Sequence, residues 1–159
     1  MIAEGQVLGS ATTVVLSFIQ DMNAGDIGKA YNKHLADDFV RFGPETEWRA
    51  MPRSEYVAWG TSFGVGFPDL RWDVITILEA SGVVVVEMIE SATFTAPWDL
   101  GHVIVQPNNE PYSTHAVLFF RVEGQKIKSY KYTHDHAFMK TYGHLFPGPE
   151  VTDCVMKTA

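Results

Sequence analysis

The hydrophobic period of this chain changes at Phe67-Pro68-Asp69. Before that point apolar residues return every three or four positions, and beyond it they alternate. Val14, Val15, Phe18, Ile19 and Met22 form one helical stripe, with Ser10 or Thr12 able to cap its start. Asn23-Ala24-Gly25-Asp26 supplies a stop and a fresh cap for a second helical piece, Ile27 to about Leu35. A short strand from Phe39 to Phe42 runs into Gly43-Pro44. Tyr56, Val57, Trp59 and Phe63 place a third helix within residues 53–67, although Gly60, Gly64 and Gly66 weaken its end. After Leu70 the spacing predicts four consecutive strands: Arg71 to Leu78, Val83 to Thr95, Tyr112 to Val122 and Lys126 to His134. Turns at Ala80-Ser81-Gly82, Pro107-Asn108-Asn109-Glu110 and Glu123-Gly124-Gln125 join them. Helices first and strands afterwards define an α+β domain, with N-terminal helices packed on a curved antiparallel sheet that encloses a pocket. Asp135 is placed to cap a final helix that packs back through Phe138, Met139 and Tyr142.

With 159 residues the chain suits one domain, which hides roughly 70% of its unfolded surface and needs no disulfide or metal staple. Residues 1–159 are expected to form that domain, with 144–159 as an extended tail. There are 12 Lys and Arg against 19 Asp and Glu, a net charge of −7, and the basic residues are scattered, so nucleic acid is not expected as a partner. The first twenty residues carry no Lys or Arg before their apolar part, unlike a signal peptide, and no apolar run reaches the ~18 residues of a membrane span. The one cysteine, Cys154, forms no intrachain disulfide, which points to a reducing, cytoplasmic compartment. The sequence holds no glycine-rich phosphate loop, no Gly-x-Ser-x-Gly elbow and no cysteine with a histidine partner. Chemistry without a cofactor, or plain small-molecule binding, is what remains.

Five segments carry a family resemblance: Met22-Asn23-Ala24-Gly25-Asp26, Leu35-Ala36-Asp37-Asp38, Phe67-Pro68-Asp69-Leu70-Arg71-Trp72, Phe119 to Ile127, and Tyr130-Lys131-Tyr132-Thr133-His134-Asp135. In this order they resemble the NTF2-like superfamily, above all its SnoaL-like polyketide cyclases and ketosteroid isomerases. The resemblance implies a cone-shaped α+β fold, a small-molecule substrate and a homodimer. It also tests chemistries residue by residue. Where ketosteroid isomerases carry a tyrosine and two aspartates, this chain has Phe18, Gly43 and Leu118. Where epoxide hydrolases of the superfamily carry an Asp-Arg-Asp set, it has Glu90, Met88 and Tyr132. The acid-base aspartate of the cyclases also falls at Tyr132.

The same resemblance orients the strands, because side chains alternate across a sheet. Phe39 and Arg41, then Val86, Met88, Glu90 and Ala92, then Thr114, Ala116, Leu118 and Phe120, and finally Tyr130, Tyr132 and His134 are expected to face inward. Glu87, His115, Arg121, Lys131 and Asp135 face outward, as do the apolar Val117 and Phe119, which a monomer would expose.

Four inward residues can carry chemistry. Glu90 sits on an apolar face, where its charged form is disfavoured and its proton becomes useful near neutrality; the bland alternative is an exposed glutamate after a bulge. Arg41 can hold an oxygen that gains negative charge, or form a structural ion pair with Glu90 or Asp38. Tyr132 offers a neutral donor and His134 a proton exchanged near pH 7, though with Tyr130 they share a face that aromatic side chains could simply fill. His134-Asp135-His136 has a metal-like spacing but lacks a third inward ligand, so neither metal nor cofactor is expected. Phe18, Phe39, Trp59, Phe63, Met88, Trp98, Ala116, Leu118, Phe120 and Tyr130 are expected to contact substrate, with Trp48 a further candidate for a lid or flat wall. Together these residues predict a cofactor-independent acid-base isomerase or cyclase acting on a largely apolar polyketide, terpenoid or alkaloid intermediate. The alternatives are a non-catalytic binding or dimerising module and, third, an epoxide hydrolase.

Overall fold

In a computed structural model, described here for residues 9–146, the two periods build two layers. Cys154 and the expected tail beyond residue 146 lie outside the described residues. Helices α1 (Ser10–Asn23), α2 (Ile27–His34) and α3 (Arg53–Gly66) cover one face of a six-stranded sheet. Its strands are β1 (Leu35–Phe42), β2 (Met51–Pro52), β3 (Arg71–Ala80), β4 (Val83–Thr93), β7 (Pro111–Glu123) and β8 (Lys126–His134), in the order β2-β1-β8-β7-β4-β3. Two-residue strands β5 (Trp98–Asp99) and β6 (Ile104–Val105) form a separate ribbon between β4 and β7, and α4 (Ala137–Tyr142) follows β8. Strands of two residues show no period, so β2, β5 and β6 were not legible in the sequence.

The four long strands pair antiparallel in succession, as their alternation predicts. The sheet as a whole is mixed, because β1 runs parallel to β8. A strand that arrives from α2 and leaves toward α3 owes nothing to a hairpin with β8, so no turn dictates its direction. β1 also starts earlier than its period suggests: Leu35 and Ala36 are buried, and Leu35 already pairs with Ile127.

Helix ends explain the resembling segments. Neither Ser10 nor Thr12 caps α1, whose N-cap is Gly9. The cap is supplied from β3, where the Glu79 carboxylate accepts from Thr12 N at 2.8 Å and from Thr12 Oγ1 at 2.6 Å. A negative group suits a helix start, and these bonds lower the pKa of Glu79. At the other end of α1, Asn23 Nδ2 donates to Trp72 O at 2.9 Å and Trp72 N donates to Asn23 Oδ1 at 2.8 Å. A side-chain amide thereby stands in for a neighbouring strand on the sheet edge. Asp26 accepts from Lys29 N and caps α2, after a Gly25 whose φ of +91° suits glycine. Asp69 in turn accepts from Thr93 N.

Gly60 and Gly64 let α2 approach α3. A Cβ on Gly60 would lie 2.5 Å from the Tyr31 ring, and one on Gly64 would lie 2.7 Å from Ile27 Cδ1. Tyr31 stacks on Tyr56 at 4.7 Å and bonds its hydroxyl at 2.8 Å, so its ring cannot swing away, whereas the tip of Ile27 can turn. Gly60→Ala is therefore expected to cost about 1–2 kcal/mol, overpacking exceeding the gain in helix propensity. Gly64→Ala should be near neutral. Urea midpoints of the two variants check the contrast, and equal midpoints would show that Tyr31 yields.

Candidate active site

Residues of α1, α2, α3, β1, β3, β4 and β8 surround a cavity of about 60 Å3, or about 440 Å3 of empty space when crevices and mouth are included. The smaller figure describes the room for a guest, because the larger takes in open solvent. Met22, Ile27, Phe63, Leu70 and Gly60 give it apolar walls; Tyr31, Tyr56, Trp59, Trp72, Tyr130 and Tyr132 give it aromatic ones. Arg41 and Glu90 are the charged groups among these lining residues.

Alternation on β4 turns Glu90 inward with Val86, Met88 and Ala92. Its carboxyl is gripped from both neighbouring strands. Trp72, directly opposite on β3, donates its indole N–H to Oε2 at 2.8 Å, and Tyr112 on β7 donates its hydroxyl to Oε1 at 2.7 Å. Tyr132 adds a further hydrogen bond. Burial raises the Glu90 pKa, and the donors from Tyr112, Trp72 and Tyr132 and the charge of His134 only partly oppose it. Glu90 keeps some accessible surface, and the cavity is what it opens on. The reading of Glu90 as a solvent-exposed residue after a bulge does not hold.

Arg41 is 4% exposed, an unusual burial for an arginine, and its guanidinium lies over the rings of Trp59 at 5.9 Å and Tyr132 at 5.6 Å. Aromatic faces carry negative potential, so they accommodate this cation without removing its charge. Asp38, one expected ion-pair partner for Arg41, is bound instead by Lys128 on β8. Tyr31 and Tyr56 form a buried hydroxyl pair on the same cavity wall; burial raises the Tyr31 pKa well above its ordinary value, and Arg41 opposes the rise.

His134 lies beside this group without lining the cavity. Its ring is 5.1 Å from Tyr132, and its Nδ1 accepts from the backbone N–H of His136 at 3.0 Å. Asp135 is occupied with structure: it accepts from Thr114 Oγ1 on β7 and from Ala137 N at the start of α4, the capping expected of it. The hydroxyl of Thr114 is the main reason its pKa falls to about 2. Among the described residues no group of three His, Cys, Asp or Glu could hold a metal ion. A depressed carboxyl stabilises the fold above its ordinary pKa of 3.8 and loses that contribution as pH falls toward about 2. Asp135→Asn should therefore flatten the acid limb of the stability profile between those values, measured by thermal melts.

Of the expected substrate contacts, Trp59, Phe63 and Tyr130 reach the cavity wall. Phe18, Phe39, Met88, Trp98, Ala116, Leu118 and Phe120 do not: they are buried behind it and pack the core. Phe18, for example, is wedged among Tyr31, His34, Trp72 and Phe120, and Trp98 against Phe63, Phe67 and Phe138. Trp48 is 48% exposed and outside the cavity. The sequence reading missed Tyr31, Tyr56, Trp72 and Tyr112. Parity alone could have found Tyr112, two residues before the inward Thr114.

Helices packed on one face of a curved sheet, with a cavity enclosed between the two layers, define an NTF2-like domain. The family model for SnoaL-like polyketide cyclases matches residues 13–141, and the chain belongs to that family. AclR of Streptomyces galilaeus, to which a hydroxylase activity is ascribed, superposes with a TM-score of 0.72 at 22% identity, covering 89% of this chain and 85% of its own. A protein of Jannaschia sp. CCS1 assigned as a SnoaL-like polyketide cyclase gives 0.69 at 18% identity, covering 91% and 100%. IdmH of Streptomyces antibioticus, assigned as a polyketide cyclase, gives 0.68 at 17%, covering 85% and 99%. Identities this low show a common fold and carry no substrate across. No curated protein matches the sequence, and no described helix is long and apolar enough to cross a membrane.

Proposed function

We propose that this chain is a cofactor-independent acid-base isomerase or cyclase acting on a largely apolar natural-product intermediate. The supporting observation is a carboxyl of raised pKa and a buried guanidinium on the wall of one aromatic cavity. The Glu90 carboxylate takes a proton from carbon next to a substrate carbonyl, and the electron pair moves onto that oxygen. Arg41, whose guanidinium does not surrender its proton, and Tyr132, whose hydroxyl turns from Glu90 to the substrate as the carboxylate takes the proton, hold the oxygen as its negative charge grows. The enolate carbon then attacks a second carbonyl, closing a ring as the new alkoxide takes the proton from Glu90; in a conjugated enone the dienolate instead takes that proton at its distal carbon, shifting the double bond. Protons and electrons balance within the substrate and Glu90. A raised carboxyl pKa suits both halves of that exchange. Glu90, which reaches the cavity, moves the proton at the substrate; His134 stands outside the wall.

The cavity, at about 60 Å3, is well below the ~300 Å3 of a typical small-molecule site, so a polycyclic guest enters only as Trp59 and Phe63 turn aside. That narrowness favours the second reading, a binding module without turnover. Proton exchange separates the two. A bicyclic aryl ketone such as 1-tetralone in deuterated buffer should gain deuterium next to its carbonyl faster with the protein than without it. Binding with no exchange above the buffer rate, for this ketone and its ring homologues, would favour the module.

We also propose a homodimer formed through the outer sheet face, where Phe119 is 44% exposed beside half-buried Val117, Val85 and Ile89. Sedimentation at micromolar concentration should give twice the chain mass for the native protein and the chain mass for Phe119→Glu. A native monomer would remove the proposal.

A further inference from the structure

The two oxygens of Glu90 are not equivalent. Oε2 meets the indole N–H of Trp72, a group that can donate and never accept, while Oε1 meets the hydroxyl of Tyr112, which, like the Tyr132 hydroxyl also bonded to this carboxyl, can do either. An oxygen that carries the acid proton is a poor acceptor. The neutral acid is therefore best satisfied with Oε2 bonded to the indole and the proton on Oε1, Tyr112 turning from donor to acceptor as the proton arrives.

The indole is itself held in place. Its ring meets Phe18 edge-on at 5.9 Å and is 4% exposed, so it is wedged in the core. Its backbone belongs to β3, the edge strand, where half of the main-chain groups have no strand to pair with. At this residue Asn23 supplies the missing pair with both ends of its side-chain amide. The chain of contacts runs from the end of α1 through the edge of the sheet to one carboxyl oxygen.

We propose that Trp72, locked by Asn23, is a positioning residue that reserves Oε2 of Glu90 for structure and leaves Oε1 as the oxygen that exchanges the proton. This rests on the reading of Glu90 as the proton-moving group and adds which of its atoms does so. It also gives a physical task to the Asn23 and Trp72 segments, which otherwise count only as scaffold.

The test uses the indole N–H resonance of Trp72 in a 15N-labelled full-length protein, followed from pH 4 to 9. The ionisable groups around Glu90 are Tyr112, Tyr132 and His134, with Tyr31 and Arg41 also on or near the cavity wall, so the titration is repeated in Glu90→Gln and His134→Asn. The expected result is a single Trp72 step, present in His134→Asn and absent from Glu90→Gln. In Asn23→Ala that step should shrink, as the indole loses its fixed approach, while circular dichroism stays native. Asn23→Asp, which keeps the acceptor for Trp72 N, should recover part of it. A Trp72 signal that does not titrate, or one that titrates unchanged in Glu90→Gln, overturns the proposal; so does a full step in Asn23→Ala. None of these outcomes depends on turnover. Failure of the acid-base reading would instead appear as ketone exchange that survives Glu90→Gln.

Discussion

Glu90→Gln should abolish ketone exchange, by at least about a hundredfold, and leave a folded protein. The amide preserves the shape of the side chain and retains one acceptor. Trp72 can only donate, so the amide oxygen must face the indole, which turns the NH2 group toward Tyr112, and the tyrosine hydroxyl can accept it. The bonds to Trp72 and Tyr112 are thus kept, and the proton exchange is lost. The stability profile provides a second readout. Because burial raises the Glu90 pKa, the neutral form is the one the fold favours: its contribution is full below the unfolded pKa and declines as pH rises through the folded one. Glutamine has no such decline. Relative to the native protein, Glu90→Gln should therefore gain stability on going from pH 4 to pH 8 in urea unfolding. A variant that loses relative stability with rising pH would mean that the native carboxylate is held by more than it gives up to desolvation. Exchange at the native rate would remove Glu90 from the mechanism altogether.

Much of the architecture was visible in the order of periods, because long strands with one buried face leave an alternation that registers directly in residue type. The β4 set Val86, Met88, Glu90 and Ala92 and the β7 set Thr114, Ala116, Leu118 and Phe120 face inward as parity requires. What parity does not contain is depth. Leu118 and Phe120 face the same way as their β8 partners Tyr132 and Tyr130, yet they are wholly covered and do not line the cavity, whereas the two tyrosines do. The distinction depends on where helices sit above the sheet, which is a matter of tertiary packing. Tyr31 and Tyr56 were missed for the same reason: each reads as an ordinary core position of an amphipathic helix, and only the approach of α2 to α3 over Gly60 brings their hydroxyls together. Caps show the same limit at a smaller scale. The Glu79 cap of α1 comes from 67 residues away, beyond any local signature. Asp26, three residues before the N–H it receives, was legible.

Arg41→Met should lower ketone exchange by about a hundredfold to a thousandfold, the usual scale for removing a group that stabilises a developing oxyanion. Methionine fills a similar volume beneath Trp59 and Tyr132, so the aromatic walls keep their packing while the positive charge disappears. Tyr132 then remains as a neutral donor and can supply only the weaker part of the field. Arg41→Lys is the more discriminating variant. Its charge is intact, but an ammonium is a compact, strongly hydrated point, whereas the guanidinium is flat and spreads its charge across both rings it faces. If the flat fork is what holds the oxygen, lysine should restore little of the lost rate. If charge alone is needed, lysine should restore most of it. Native exchange in Arg41→Met would mean that the oxygen is held by the tyrosines and that Arg41 serves only the fold. Loss of exchange in both variants, with native circular dichroism, ties the reaction to a guanidinium in an aromatic box, an arrangement that water could not reproduce because hydration would screen the charge before the enolate formed.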